Sequence, residues 1–251
     1  MRWIPAGHFW MGSPDSEEGR FRDEGPTHKV IISQGFWLFD VPCTQELWEA
    51  VMGSNPSRFK GPRRPVERVS WEECQEFAER LNGHVALGSR LPTEAQWEYA
   101  CRAGTTTSTY TGDVKTVGEN NAPGLDAIAW YGGNSGWEYD LEEGEDSSEW
   151  PNKQYPHTKA GTRVVGQKRA NGWGLYDMLG NVWEWCWDGM RPYTTASVVD
   201  PVGPMGISAD RVIRGGGWHR DAQDVRAAYH FTYRSDHRAF DLGFRCLSSG
   251  K

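Results

Sequence analysis

The sequence predicts an irregular α+β fold in which few short helices and strands are joined by long ordered loops. Two observations predict it. The 251-residue chain contains 14 Trp, which excludes a disordered chain because disordered segments are poor in aromatic residues. It also contains 30 Gly and 14 Pro, which argue against a helical bundle and indicate many turns. No linker or internal repeat divides the sequence, so we expect one domain over residues 1–251.

Two helices are predicted by capping boxes, and the first lies in the N-terminal third. Ser70 is followed three residues later by Glu73, so each side chain can satisfy a backbone N–H of the other residue. Apolar residues then recur at helical spacing as far as Leu81, and Asn82-Gly83 is expected to end the helix.

The second capping box consists of Thr93 and Gln96. We expect its helix to end at Gly104, since glycine adopts the left-handed conformation that closes many helices. A weaker helical pattern covers residues 45–52 and ends at Gly53.

Strand signals are short. Residues 30–32 and 36–38 are apolar and flank the Gln34-Gly35 turn, so each is expected to form a strand. After Gly104 no sustained helical period is found. Apolar pieces of two to five residues alternate there with Gly, Asn, Trp and Pro, which indicates short strands and long loops.

Charge and hydropathy exclude some classes of protein. The net charge of −7 and the sequence pI near 5.5 argue against a nucleic-acid binder, because phosphate binding needs clustered Lys and Arg. No apolar run approaches the ~20 residues of a membrane span, so none is expected. No apolar signal core follows Met1. The compartment is therefore left open, with export or display on a cell or virion surface as options.

One segment differs in composition from the rest. Seven acidic residues lie between Glu138 and Glu149, within an apparent insertion at about 137–160. A solvated surface loop is the simplest interpretation. A loop for calcium or for a basic partner is the alternative, although the segment lacks the ligand spacing of a calcium-binding hand.

Five stretches of the sequence form a distinctive series. They are WIPAGHFWMGS at 3–13, PVERVSW at 65–71, RLPTEAQWEYACRAG at 90–104, NGWGLYDMLGNVWEW at 171–185, and RVIRGGGW at 211–218 with LGFRC at 242–246. These stretches resemble the formylglycine-generating enzyme (sulfatase-modifying factor) family, in the family's order. The resemblance implies an irregular C-type-lectin-like fold, with the tryptophans of these motifs in the core.

The family's enzymatic residues are not all present. Enzymes of this family use two cysteines shortly after the G-G-S/G-aromatic turn to bind copper and to oxidise a sulfatase cysteine to formylglycine. The matching residues 218–234 contain no cysteine. Because a thiolate-bound copper site needs these ligands, we expect neither copper nor formylglycine generation.

The resemblance also implies a disulfide. Cys101 and Cys246 match positions that are bonded in the enzyme, so we expect them to be bonded here. Two buried free thiols are the alternative. The sequence contains five cysteines and no C-x-x-C motif, which argues against a zinc ribbon or a thioredoxin-type site.

A structural calcium site is a further implication of the resemblance. The family's L-Y-D/N-M-x-G-N-x-W-E segment wraps a calcium ion. The matching ligands here are the side chains of Asp177 and Glu184 and the carbonyl groups of Gly180 and Val182. Hard oxygen ligands of this kind suit calcium.

A cysteine-free, metal-dependent oxidoreductase of the same family is one functional alternative. A relative in siderophore maturation is thought to oxidise its substrate without the two cysteines. The seven histidines form no H-x-x-x-H or H-E-x-x-H motif, so no helical metal site is indicated.

The favoured hypothesis is a ligand- or receptor-binding display protein. Variable proteins of diversity-generating retroelements share this sub-fold and vary a C-terminal segment at adenines, mostly in AAC or AAT codons. Such codons cannot reach Lys, Glu, Gln, Met or Trp, and residues 224–245 contain none of these five types. Within it, residues 229–241 show no period of two or 3.6, unlike a core strand. Its aromatic, Arg and short polar residues resemble a paratope.

The candidate ligand-binding segment is therefore 218–245, and its ligand is an unknown protein or cell-surface molecule. The expected contact residues combine aromatic, histidine and charged side chains. They are His219, Arg220, Asp221, Tyr229, Phe231, Tyr233, His237 and Phe240.

Overall fold

The computed structural model describes residues 1–85, 87–206 and 210–249. Three α-helices and thirteen short strands lie within these ranges, together with three single 3-10 turns at Arg22–Glu24, Pro123–Leu125 and Ala222–Asp224. The helices are α1 (Gln45–Met52), α2 (Trp71–His84) and α3 (Glu94–Arg102). The strands are β1 (Arg2–Ile4), β2 (Gly7–Met11), β3 (His28–Ile32), β4 (Phe36–Leu38), β5 (Ser89–Arg90), β6 (Glu145–Asp146), β7 (Lys159–Ala160), β8 (Trp183–Trp185), β9 (Val198–Val199), β10 (Arg211–Arg214), β11 (His230–Tyr233), β12 (Leu242–Gly243) and β13 (Leu247–Ser248).

Both capping boxes are present. The Ser70 hydroxyl accepts a bond from the Glu73 N–H at 3.2 Å, and the Glu73 carboxylate accepts one from the Ser70 N–H at 2.8 Å. Thr93 and Gln96 make the same reciprocal pair at the start of α3. The N-terminal ends of both helices are therefore fixed by local side chains, as the sequence predicts.

The predicted helix ends are partly wrong. α2 continues through Gly83 to His84, because the backbone N–H of Val85 still bonds to the Leu81 carbonyl. α3 ends at Ala103, which adopts the left-handed conformation with φ 46°, one residue before the expected Gly104. α1 ends at Gly53 as predicted, with φ 81°.

Four small sheets make up the β structure. Their strand orders are β1-β4-β13-β5, β11-β10-β8-β12, β2-β3-β9 and β6-β7. β3 and β4 flank the predicted turn at 34–35 but belong to different sheets. β11 lies at the edge of its sheet and pairs antiparallel with β10, with His230 opposite Arg214 and Tyr233 opposite Arg211.

β11 buries its first side chain and exposes its second. His230 is 2% exposed, whereas the next residue, Phe231, is 46% exposed. Because successive side chains of a strand point to opposite faces, Phe231 and Tyr233 share the outward face. Thr232 and Tyr233 are both partly exposed, so burial does not alternate further along the strand.

The tryptophans of the family motifs lie in two kinds of environment. Trp97, Trp183, Trp185 and Trp218 are among the largest fully buried side chains, which agrees with the expected role in the core. Trp3 and Trp10 are 49% and 55% exposed, so the same expectation is wrong for them. Both lie on outward positions of the N-terminal strands β1 and β2.

The disulfide expected between Cys101 and Cys246 is not formed in this structure. Both residues are free, buried thiols. Cys101 lies in the largest hydrophobic cluster, whereas Cys246 lies in a second cluster that also contains Cys43 and Cys74. The two cysteines thus pack in separate parts of the core. Among the described residues, no helix combines the length and the apolar character needed to cross a membrane.

Candidate functional site

A buried charge network supports the inner side of β11. One oxygen of Glu94 accepts bonds from Arg214 at 2.7 Å, from the Tyr193 hydroxyl at 3.0 Å and from the His230 ring at 2.6 Å. Burial alone would raise the pKa of Glu94, but Arg214 and His230 outweigh it and hold the pKa well below its usual range. This contact holds the His230 side chain on the inner side of β11 and so fixes the position of the strand.

Arg214 also holds the chain that leads into β11. Its guanidinium donates to the carbonyl groups of Ala227 and Ala228 at 2.9 Å each. The same group contacts Glu98 at 2.9 Å. The buried Arg214 thus joins two carboxylates of α3 to the backbone of the loop before β11. These charge-assisted bonds fix the point at which β11 begins.

Three predicted contact residues form an aromatic group on the outward side of β11. The Phe231 ring meets the Tyr233 ring edge-on, with centroids 5.2 Å apart. The His237 ring stacks on Tyr233 at 4.0 Å. Because the three rings support one another, the group presents an ordered surface to solvent.

Beside this group, Arg220 pairs with a buried carboxylate. Its guanidinium is 3.3 Å from the buried Asp241 carboxylate and 5.6 Å from the centre of the Trp183 ring. Burial would lower the pKa of Arg220, but Asp241 and Tyr233 raise it above its ordinary value.

His219 borders the other side of Asp241. Its Nδ1 is 3.4 Å from the Asp241 carboxylate. Burial lowers the pKa of His219 although Asp241 opposes it, so the ring is neutral at pH 7. His219 also packs against Phe240, with ring centroids 5.3 Å apart.

Phe240 packs mainly against the scaffold. Its ring lies 5.4 Å from Trp218 and 6.5 Å from Phe59. Trp150, from the acidic insertion, stacks on the other side of Trp218 at 5.8 Å. The insertion is thus folded against the candidate site, and it is further held by an ion pair between Glu145 and Arg58.

Tyr229 packs between aromatic rings, whereas Asp221 lines the surface. The Tyr229 ring stacks on Phe21 at 4.8 Å and lies 5.6 Å from Trp183. Asp221 lines a surface cavity of about 420 Å³ with Glu119 and Gln223.

The eight predicted residues have different surroundings. Phe231 is nearly half exposed, Tyr233 and His237 stack on each other, and Arg220 and His219 lie beside the buried Asp241. Asp221 lines a surface cavity, and Tyr229 and Phe240 are partly used in packing. Sequence reasoning missed the neighbouring residues that support these side chains. They are Phe21, Trp150, Trp183, Asp224 and Asp241.

The residues predicted to bind calcium do not fit that ion as assigned. Both oxygens of Glu184 are bonded to the buried Arg245 at 2.7 Å, and one of them also accepts from the Trp97 indole at 2.7 Å. One Asp177 oxygen accepts from the Gly166 N–H at 2.6 Å. Because the guanidinium already neutralises Glu184, the carboxylate is not free to bind a second cation. Of the predicted ligands, Asp177 and the carbonyl groups of Gly180 and Val182 would then have to hold the ion without Glu184.

No group of three or more His, Cys, Asp or Glu side chains in the described part of the chain is arranged to hold a metal ion. The family model of the sulfatase-modifying factor enzyme 1-like domain matches residues 1–249.

The chain belongs to this family.

Curated proteins are similar over most of the chain. The formylglycine-generating enzyme of Streptomyces coelicolor is 32% identical over 249 residues, which cover 91% of this chain and 69% of the enzyme. The chaperone protein LppX of Paenibacillus barcinonensis is 29% identical over 269 residues, covering 93% of this chain and 88% of LppX.

Two solved structures have the same fold over nearly the whole chain. Treponema denticola variable protein 1 has a TM-score of 0.79 and 29% identity, with coverage of 99% of this chain and 94% of that protein. PvdO of Pseudomonas aeruginosa has a TM-score of 0.77 and 25% identity, with coverage of 98% and 92%. The predicted fold class and the resemblance to both enzymes and variable proteins are confirmed.

Proposed function

We propose that this domain is a display scaffold that binds a protein or cell-surface ligand through the face built by residues 218–245. One observation carries the proposal. In β11, the inward His230 is fixed to the buried Glu94, whereas the neighbouring Phe231 is 46% exposed and contacts Tyr233, which is partly exposed and packs against the edge of the core. Neighbouring residues of this strand therefore have different tasks: His230 holds the strand to the core, and Phe231 is accessible to a ligand.

The chemistry of the outward residues suits binding. Aromatic rings offer large contact area and lose little conformational entropy when they are bound. The stacked pair Tyr233–His237 and the adjacent Phe231 are already ordered before a ligand arrives. A preorganised surface of this kind favours affinity, because less motion has to be lost on association.

Diversification by a retroelement is the finer part of the proposal. The similarity to Treponema denticola variable protein 1 supports it, as does the absence of Lys, Glu, Gln, Met and Trp from residues 224–245. Within this segment Arg226 and Arg245 are buried in ion pairs, and His230 is buried beside Glu94. Variation would therefore be confined to outward positions such as Phe231, Tyr233 and His237.

A paired library experiment tests the display scaffold. Positions 231, 233 and 237 are randomised in one library, and the buried positions 94, 214 and 230 in a matched library, with resistance to proteolysis as the readout. We expect most variants of the first library to remain folded and most of the second to unfold. Equal intolerance in the two libraries would contradict the proposal, since the outward residues would then be structural.

The encoding DNA tests diversification separately. We expect a nearby reverse-transcriptase gene and a near-copy of the 3′ end of the coding region that differs only at adenines. The differing codons should fall on outward residues rather than on Arg226, His230 or Arg245. Absence of the gene and the copy would exclude diversification by a retroelement. The display scaffold would then be judged by the library experiment alone.

A further inference from the structure

The strand β11 has one unpaired edge. The sheet order is β11-β10-β8-β12, so β10 is the only strand beside it among the described residues. In β10, the main chain of Val212 faces β8, since its N–H donates to Asp188 at 3.0 Å and its carbonyl accepts from Cys186 at 2.8 Å. Main-chain groups of successive strand residues point to opposite sides, so Arg211 and Ile213 face β11.

The same alternation assigns the main-chain groups of β11. Phe231 and Tyr233 lie opposite the two residues of β10 that face this strand, so their main chain is bonded to β10. The N–H and carbonyl groups of His230 and Thr232 therefore point away from the sheet. In the described chain, no further backbone hydrogen bond involves His230 or Thr232. These four main-chain groups are called the free edge of β11.

The free edge lacks the usual protection of an exposed strand. Proteins block such edges with proline, with charged side chains or with bulges, because unpaired main-chain groups otherwise bind another strand. The four residues of β11 include no proline, lysine or acidic residue, and they pair with β10 without a bulge. The strand is also held in place, since the His230 ring contacts Glu94 at 2.6 Å. The edge is therefore open and preorganised for an added strand.

An apolar ring lies beside the free edge. Phe231 is nearly half exposed, whereas Ile213, opposite it in the sheet, is fully buried. In an antiparallel pair, the residue of an added strand that lies opposite Phe231 is a non-hydrogen-bonded partner, whose side chain approaches closely. Pairs of an aromatic and a β-branched residue stabilise neighbouring strands. The exposed ring therefore suits an apolar, β-branched side chain.

We propose that the free edge of β11 takes up an extended segment of a protein partner, which pairs antiparallel with His230 and Thr232 and places an apolar side chain against Phe231. The inference rests on the proposed display function and names how the partner is held. Main-chain groups stay the same whatever residue stands at positions 231 and 233, so one binding mode can serve a varied surface.

An extended segment fits this edge better than a second copy of the chain. β11 has four residues and spans about 13 Å. Two such strands cover far less than the ~1,200 Å² of a specific interface between folded proteins, so a dimer would need further contacts. A flexible segment pairs with the strand without bringing a second folded surface against it.

The test uses the full chain and a defined peptide. Main-chain pairing depends little on sequence, so the fluorescein-labelled peptide Ser-Thr-Val-Thr-Val-Thr-Ser is a suitable probe, with valines for the face of Phe231. Fluorescence anisotropy measures its affinity. One control peptide is N-methylated at its threonines, whose N–H groups would face β11. The matched control is N-methylated at its valines, whose N–H groups would face solvent.

We expect methylation of the threonines to weaken binding about fivefold or more, because hydrogen bonds to the free edge are lost, and methylation of the valines to change it less than about twofold. Hydrogen exchange of the Thr232 N–H should slow when the peptide is added. Exchange of the Phe231 N–H, which is already bonded to β10, should not change. T232P should weaken binding as methylated threonines do, whereas T232V should not. The methylated peptides keep the test valid if T232P is unstable.

Other results would overturn the proposal. Equal binding of the two methylated peptides, or no binding of the unmodified peptide at millimolar concentration, would show that the main chain of β11 is not the docking site. Unchanged exchange of the Thr232 N–H would show the same. A concentration-dependent dimer that T232P abolishes would show that the edge takes a second copy instead.

The outcomes separate this inference from the proposed function. If positions 231, 233 and 237 tolerate randomisation but the peptide does not bind through the free edge, the added strand is wrong and the display scaffold stands. If the peptide binds there while these positions prove intolerant, the free edge stands as a docking site and the display scaffold is wrong.

Discussion

Glu94 and Arg214 form a fully buried ion pair, with 2.7 Å between the carboxylate and the guanidinium. Glu94 comes from the start of α3 and Arg214 from the end of β10, so the pair joins helix and sheet directly beneath β11. The face proposed to bind a ligand thus depends on a contact that no ligand reaches.

Replacement of Arg214 should be strongly destabilising. The variant R214A leaves Glu94 and Glu98 buried without their shared cation, which costs about 3–5 kcal/mol. Urea unfolding measures the change. The control is R80A, which breaks the exposed Glu76–Arg80 pair on α2 and should cost less than about 0.5 kcal/mol. A cost for R214A as small as that of R80A would show that the network is dispensable.

Stability should depend on pH through Glu67. Its carboxylate accepts bonds from the N–H groups of Arg58 and Phe59, but burial outweighs them and raises its pKa to about 7. The folded protein therefore holds a proton that the unfolded chain has released by about pH 5, so stability falls as pH rises toward 8. The melting temperature of E67Q relative to wild type should rise over this interval. A difference that is constant from pH 5 to pH 8 would contradict the assignment.

All five thiols should be available once the chain is unfolded. The structure contains Cys43, Cys74, Cys101, Cys186 and Cys246 as free, buried groups. Alkylation in denaturant without reductant should therefore add five labels, and C246S should add four. Mass spectrometry measures the labels. Only three labels on the wild type would show that the disulfide implied by the family resemblance is formed.

Calcium should not change thermal stability. Glu184 is already paired with Arg245, so no net stabilisation by a bound ion is expected at the predicted site. Melting curves in excess EGTA and in millimolar calcium should coincide, with magnesium as the control for ionic strength. A selective rise with calcium would show that the ion displaces Arg245 or binds elsewhere.

The acidic insertion should be released by loss of Trp150. Trp150 stacks on Trp218 and lies edge-on to His157, which anchors the insertion to the candidate site. W150A should increase hydrogen exchange of residues 138–149 while the exchange of α3 is unchanged. W137A is the matched control, because Trp137 is 39% exposed and contacts Tyr155 only at the border of the insertion. An equal effect of both variants would argue against a specific anchor.

The sequence predicts local structure well where adjacent residues determine it. The capping boxes at Ser70 and Thr93 are satisfied within one helical turn, so their spacing alone locates α2 and α3. The family motifs predict the fold because they cover most of the chain. Helix ends are less certain, since Ala103 adopts a conformation that sequence reasoning assigned to Gly104.

Contacts between distant segments could not be read from the sequence. Trp150 reaches Trp218 from an insertion whose composition suggests only a solvated loop. Phe21 reaches Tyr229 across most of the chain. The calcium prediction likewise did not include Arg245, part of another motif, which pairs with Glu184. These omissions share one cause, because the partner of a side chain is set by tertiary packing.

The difference in burial between the first two residues of β11 also separates two kinds of evolutionary constraint. A substitution at His230 would disturb the bonds among Glu94, Tyr193 and Arg214, so the codon for residue 230 evolves together with codons far away in the sequence. A change at Phe231 meets solvent and its neighbour Tyr233. Adjacent codons of one short strand can therefore evolve at very different rates. A protein engineer could therefore substitute the outward residues repeatedly without changing the buried ones.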